Sequence, residues 1–236
     1  MINEAIILAG GLGTRLREVI GDEIPKPMAP VRGRPFLEYL FSYLNKWGVT
    51  KLILATGHRH EMIEAHFGSR FHEQDIIYSV EHEPLGTGGA VKRAMEHVKG
   101  PTAYVLNGDT YFDANLWKIA NFHRAHEADA CMALRKVGDI SRYGAVKIDL
   151  ENRITDFVEK GSQGGMGFIN GGTYIINRKS FMHTDLPEKF SIEKDYFERY
   201  FAIQRIFGVR CFSFFLDIGI PEDYKEAQDA FEGLIH

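Results

Sequence analysis

Residues 4–27 read E-A-I-I-L-A-G-G-L-G-T-R-L-R-E-V-I-G-D-E-I-P-K-P, and the interpretation of the whole chain starts from them. Residues 5–9 are an unbroken apolar run, the pattern of a strand buried on both faces. Gly10, Gly11 and Gly13 follow at once, and residues without Cβ atoms let a backbone come close to a ligand. Successive N–H groups leading out of a strand form a concave anion site. Arg15 and Lys26 add positive charge, and Pro25 and Pro27 stiffen the backbone on either side of the lysine. The stretch reads as a seat for the phosphates of a nucleotide.

Two common nucleotide motifs fail here. A G-x-G-x-x-G fingerprint needs a third glycine where Leu16 stands, and a P-loop needs G-K-[ST] after its glycines. The pattern G-G-x-G-T-R-L followed by P-K-P resembles instead the signature of the sugar-1-phosphate nucleotidyltransferases, or sugar-nucleotide pyrophosphorylases. The bland alternative is a glycine-rich turn with two incidental cations. The resemblance implies that Leu8, Gly10, Gly11, Gly13 and Thr14 lie against the nucleotide and that Arg15 and Lys26 act on its phosphates. One departure is local: the family's L-x-P-L-T after the arginine is replaced by L-R-E-V-I at residues 16–20.

With 236 residues the chain is long enough for one large α/β domain or two small ones. A net charge of −4 argues against a general polyanion or nucleic-acid binder. Cations must then be concentrated locally, and Arg15, Arg17, Lys26, Arg32 and Arg34 supply such a group near the first loop. Cys131 and Cys211 both sit in apolar, strand-like runs, as buried free thiols in a reducing compartment do. The start of the chain shows no signal peptide, and no apolar segment has transmembrane length. A cytoplasmic protein is expected, with no membrane partner. The oligomeric state stays open, a homodimer included.

Downstream, strands are expected at 51–56, 76–80 and 103–106, with helices at 35–47, 61–67 and 87–98 between them. That rhythm means βαβ units and a mostly parallel sheet, whose ligands bind beyond the carboxyl ends of the strands. Residues 81–90 read E-H-E-P-L-G-T-G-G-A, with Thr87 placed to cap the following helix. An ionised carboxylate is acceptor-only, so Glu81 suits guanine, whose N1–H and N2 amino group are adjacent donors; the alternative is an exposed acid at a strand end. Asp109 closes N-G-D at the end of 103–106, where it serves equally as a turn residue or as a ligand for Mg²⁺. Asp113 is expected to cap a helix at 116–126. Further strands are expected at 130–137, 145–150, 153–158 and 209–216, with helices at 191–201 and 222–231.

The same resemblance carries through the chain in family order. It implies that the loop with Gly86 and Thr87 contacts the base, and that Asp109 and Asp217 of D-I-G-I-P hold the cofactor Mg²⁺. It also implies that Gly144, Glu159, Lys160 and Asn170 bind the sugar 1-phosphate, with Lys160 on the phosphate. The family's proline after the E-K pair is Gly161 here. The histidine pairs His58/His60 and His123/His126 lack the further ligands a zinc set needs. The implied fold is an α/β, Rossmann-like, mostly parallel mixed sheet flanked by helices. It forms a single domain with a nucleotide-binding half near 1–112 and a sugar-phosphate half near 113–236. The implied partners are GTP and a sugar 1-phosphate. The E-x-P-L-G-T-G-G-A loop, P-K-P-M-A-P and the chain length are most similar to members that use D-glycero-α-D-manno-heptose 1-phosphate and make GDP-heptose. Members using mannose 1-phosphate come next, then muramic or glucose 1-phosphate uridylyltransferases. A non-catalytic sugar-nucleotide-binding paralogue would be expected to have lost Arg15, Lys26, Asp109, Lys160 or Asp217, and all five are present.

Overall fold

The computed structural model describes residues 1–11, 13, 15–141, 143–159, 161 and 164–232. Strand β1 (Glu4–Leu8) lies at the centre of an eight-stranded sheet, between β2 (Lys51–Thr56) and β4 (Thr102–Asn107). Beyond β2 come β3 (Gln74–Val80) and the two-residue edge strand Arg70–Phe71. The run β4-β1-β2-β3 is parallel throughout. On the other side of β4, β9 (Gly167–Asn177) is antiparallel to both β4 and β6 (Ala130–Val137), and β10 (Ile206–Cys211) closes the sheet parallel to β6. Three small ribbons sit outside it among the described residues. Strands β7 (Ala145–Ile148) and β8 (Ile154–Val158) form one, β5 (Thr110–Phe112) with β11 (Phe215–Asp217) forms the second, and the two-residue runs Pro30–Val31 and Arg34–Pro35 form the third.

Alternation along the central strands builds two cores. Ala5 and Ile7 of β1 join Leu52, Leu54, Tyr104 and Leu106 on one face, while Ile6 joins Ile53, Ala55, Ala103 and Val105 on the other. Helices α1 (Phe36–Lys46) and α4 (Leu116–Ala125) cover the first face. Helices α3 (Gly86–Ala94) and α5 (Arg178–His183) cover the second. Phe36, Leu37, Leu40, Phe41 and Leu44 form the buried stripe of α1, each worth about 1.5–3 kcal/mol once removed from water. Helix α2 (His60–Phe67) packs through Ile63 and Phe67, and the final helix α6 (Pro221–Ala230) through Tyr224 and Ala227. Both cysteines are buried and free. No helix among the described residues is long and apolar enough to cross a membrane.

Four sequence expectations are corrected. Helix α3 begins at Gly86 with no side-chain cap, and the Thr87 hydroxyl instead donates to Glu193. Asn115, not Asp113, caps α4, its side chain accepting from Lys118 N at 2.8 Å. The strand expected at 209–216 is two strands, β10 at the edge of the main sheet and β11 in a separate ribbon. They part where Arg135 Nη1 reaches across to donate to Ser213 O at 2.8 Å. Arg32 does not join the cations of the first loop. Its backbone N donates to Gln228 Oε1 and its guanidinium to Gln228 O, tying α6 down.

Candidate active site

Because β1 to β4 run parallel, their carboxyl ends share one rim. Ala9 N donates to Ala55 O and Gly108 N to Leu8 O, so the glycine loop, the residues after β2 and the N-G-D turn after β4 lie side by side. A cavity of about 430 Å³ opens there, within the range of small-molecule sites. Of the residues expected to bind the nucleotide, Leu8, Gly10, Gly11, Glu81, Gly86 and Thr87 wall it. His58 and His82 wall it too. In the sequence His58 stands out only as a would-be metal ligand and His82 not at all, although each follows the end of a parallel strand. A larger depression of about 1390 Å³ lies at the opposite ends of the strands, bounded by Asn3, Thr102 and Asn177. It contains none of the residues expected to act on phosphate.

The Glu81 carboxylate is anchored at the cavity wall, with Oε2 accepting from Leu85 N at 2.9 Å. Burial raises its pKa, opposed by that hydrogen bond and by Arg93. The loop after Glu81 is shaped by its glycine. Gly86 has φ +74°, and a Cβ there would stand 2.5 Å from Phe190 O. The first loop is equally tight, since Gly13 has φ +59° and its Cβ would fall 2.8 Å from Lys26 Cβ.

Beside the cavity the charged residues converge. Lys26 sits in the short turn Lys26–Met28 and is only 8% exposed. Its Nζ donates to Asp109 Oδ2 at 2.5 Å. Asp217, at the end of β11, pairs in register with Thr110, the residue after Asp109, and Ile218 N donates to Asp109 O at 2.9 Å. A Cβ added to Gly219 would lie 2.8 Å from Asp217 Oδ1 and 3.2 Å from Lys26 Nζ. Three residues separated by scores of positions thus share one small volume. Burial, then the neighbouring Asp109 charge, raises the Asp217 pKa, against the pull of Lys26 and the Gly219 N–H.

On the sugar-phosphate side, Asn170 lies where the pairing of β9 with β6 shifts register. Its Nδ2 donates to the Tyr174 hydroxyl at 2.8 Å and its Oδ1 accepts from Gly172 N at 2.9 Å. Tyr174 is fully buried. Burial and the Glu193 and Asp109 carboxylates hold its phenol well above the usual value. Gly172, which Asn170 accepts from, lies against the N-G-D turn: a Cβ there would stand 2.8 Å from Asn107 Nδ2. Glu159 follows β8, and its charge is felt at Glu198 together with those of Glu193 and Asp195. Gly144 lies in the turn before β7, its N donating to Ile140 O. Arg15 is exposed and has no partner among the described residues. Thr14 and Lys160 lie outside the described residues.

Residues 4–233 match the Nucleotidyl transferase family. The chain is 48% identical over 225 residues to a D-glycero-alpha-D-manno-heptose 1-phosphate guanylyltransferase of Aneurinibacillus thermoaerophilus, covering 95% of this chain and 96% of that one. It is 36% identical to a mannose-1-phosphate guanylyltransferase of Mycobacterium tuberculosis, over 94% of this chain but 62% of the longer relative. The crystal structure of HddC from Yersinia pseudotuberculosis complexed with GMP-PN superposes with a TM-score of 0.86 at 37% identity, over 98% of this chain and 100% of that one. A family match over nearly the whole chain, together with a glycine loop and two convergent aspartates at the strand ends, means that the chain belongs to the nucleotidyl transferase family.

Proposed function

We propose that this protein transfers GMP from GTP to D-glycero-α-D-manno-heptose 1-phosphate, giving GDP-heptose and pyrophosphate. The observation that carries the proposal is the meeting of Lys26, Asp109 and Asp217 beside a nucleotide-sized cavity walled by Glu81. GTP as donor is supported by the Glu81 carboxylate, whose Oε1 has no partner among the described residues. It is also supported by the HddC neighbour determined with GMP-PN. The heptose acceptor is supported by the relative of matching length. Mannose 1-phosphate is the second reading, supported by a relative of lower identity.

The chemistry needs no general base. A phosphomonoester with its second pKa near ~6 is already largely dianionic at neutral pH, and its oxygen attacks the α-phosphorus as pyrophosphate leaves. The obstacle is the mutual repulsion of two anions, so catalysis rests on positioning and charge neutralisation. Lys26 and Arg15 would take the charge of the departing pyrophosphate. Lys160 would hold the attacking phosphate, with Gly144, Glu159 and Asn170 on the sugar. Leu8, Gly10, Gly11, Gly13, Thr14, Gly86 and Thr87 would line the nucleotide.

The residues fit a hard divalent cation. Asp109 and Asp217 are an all-oxygen pair of the kind Mg²⁺ prefers; burial first and the Asp109 charge second raise the Asp217 pKa, and a bound cation would offset the second of these. Among the described residues no third acidic, histidine or cysteine ligand joins them, in keeping with a magnesium shell completed by phosphate and water. Bound there, Mg²⁺ would neutralise charge on the reacting phosphates.

A pyrophosphate-release assay with the four common nucleoside triphosphates, each against heptose and mannose 1-phosphates, tests this reading. GTP with the heptose phosphate should exceed every other pair in kcat/KM by at least roughly tenfold. A preference for UTP, or for mannose 1-phosphate, would replace it.

A further inference from the structure

The base-side loop, residues 85–90, is gripped by a remote segment. Phe190 N donates to Leu85 O at 3.0 Å, and Gly88 N donates to Phe190 O at 2.9 Å. A side-chain clasp is added to this backbone pairing. Thr87 Oγ1 donates to Glu193 Oε2 at 2.8 Å, and Ser191 Oγ donates to the same oxygen at 2.8 Å. Ile192 N in turn donates to Thr87 Oγ1 at 3.0 Å. Thr87 is a wall of the 430 Å³ cavity, so the clasp acts on a surface the ligand would touch. Hydrogen bonds to an ionised acceptor are about twice as strong as neutral ones.

Glu193 is itself rigidly mounted. It belongs to the wide helical turn Ile192–Phe197, whose Tyr196 and Phe197 are fully buried. The Phe197 ring lies 4.9 Å from that of Tyr174, and the Tyr196 ring 4.8 Å from that of Phe181. A site is precise when the side chains that orient its contact groups are locked in this way.

We infer that Glu193 is a positioning residue for the nucleotide: by holding the Thr87 hydroxyl it fixes the base loop in its binding geometry. The inference rests on reading the cavity as the GTP seat. A clasp that served the fold alone would affect melting and leave nucleotide affinity untouched.

Calorimetric titration with GTP and steady-state kinetics on Glu193→Ala, Glu193→Gln and Thr87→Val separate the two. Loss of the charged clasp in Glu193→Ala should weaken GTP binding about tenfold, equivalent to about 1.4 kcal/mol, with the change falling on KM for GTP rather than on kcat. Glu193→Gln, whose amide oxygen still accepts from both hydroxyls, should recover most of the affinity. The double variant Glu193→Ala/Thr87→Val should bind no more weakly than the worse single one, since both remove one shared interaction. GTP binding by Glu193→Ala equal to wild type, or additive losses in the double variant, would overturn the inference while leaving the proposed activity standing. Absence of GTP binding in the wild-type protein would remove both.

Discussion

Glu81 and Asp217 are carboxylates that the fold makes harder to ionise, and each shift has a consequence that can be measured. The proposed reading of guanine needs Glu81 as an anion. Burial raises its pKa above the usual 4.5, so GTP affinity should fall with acid at a higher pH than an unshifted glutamate would give. Glu81→Gln should flatten that acid limb and narrow the GTP to UTP ratio of kcat/KM; pH profiles of wild type and variant check it. For Asp217 the sign runs against stability. A carboxyl whose folded pKa lies above its unfolded value of 3.8 costs stability as pH rises through that window. Asp217→Asn keeps an oxygen for the Gly219 N–H and removes the repulsion with Asp109. It should raise Tm by a few degrees at neutral pH, 1 kcal/mol corresponding to roughly 2–4 °C in a chain of this size. The same variant should lose about 10²–10³ in kcat. Opposite changes in melting and turnover are the mark of a residue kept for chemistry at a cost to the fold.

The base loop and the segment that grips it form the decisive element. Gly86→Ala should destabilise the protein and weaken GTP binding. Its φ of +74° costs an alanine roughly 1–2 kcal/mol, and the new Cβ would meet Phe190 O at 2.5 Å. Gly138→Ala is the control. Its Cβ meets nothing within 4 Å and its φ is ordinary, so its effect should stay within about 0.5 kcal/mol. Thermal melts of the two variants decide this. The loop's glycines were legible in the sequence because they cluster after a strand end. Its clasp was not, because Thr87 and Glu193 are 106 positions apart and only the tertiary fold sets them together. The break between β10 and β11 was hidden for a related reason. Residues 211–216 read C-F-S-F-F-L, apolar enough for one strand, and the interruption comes from Arg135 on another strand.

Across the whole molecule the sheet was readable because β1, β2 and β4 are nearly continuous apolar runs between turn residues, as strands buried on both faces must be. Across the sheet, β1 to β4 lie on one side and β6, β9 and β10 on the other. The motif aspartates could be named from sequence, and their convergence follows from the β5–β11 ribbon. The direct pairing of Lys26 with Asp109 could not be read in advance. It depends on a proline-stiffened turn folding back against Asp109 of the N-G-D loop. Lys26, Asp109 and Asp217 are proposed as one centre for Mg²⁺-dependent nucleotidyl transfer. The most direct test is the magnesium dependence of pyrophosphate release from GTP and heptose 1-phosphate, measured for wild type, Asp109→Asn and Asp217→Asn. Chelation should abolish activity, and each variant should lose about 10²–10³ in turnover with half-saturation moved to higher magnesium. Wild-type turnover without a divalent ion, or either variant matching wild type at limiting magnesium, would contradict it.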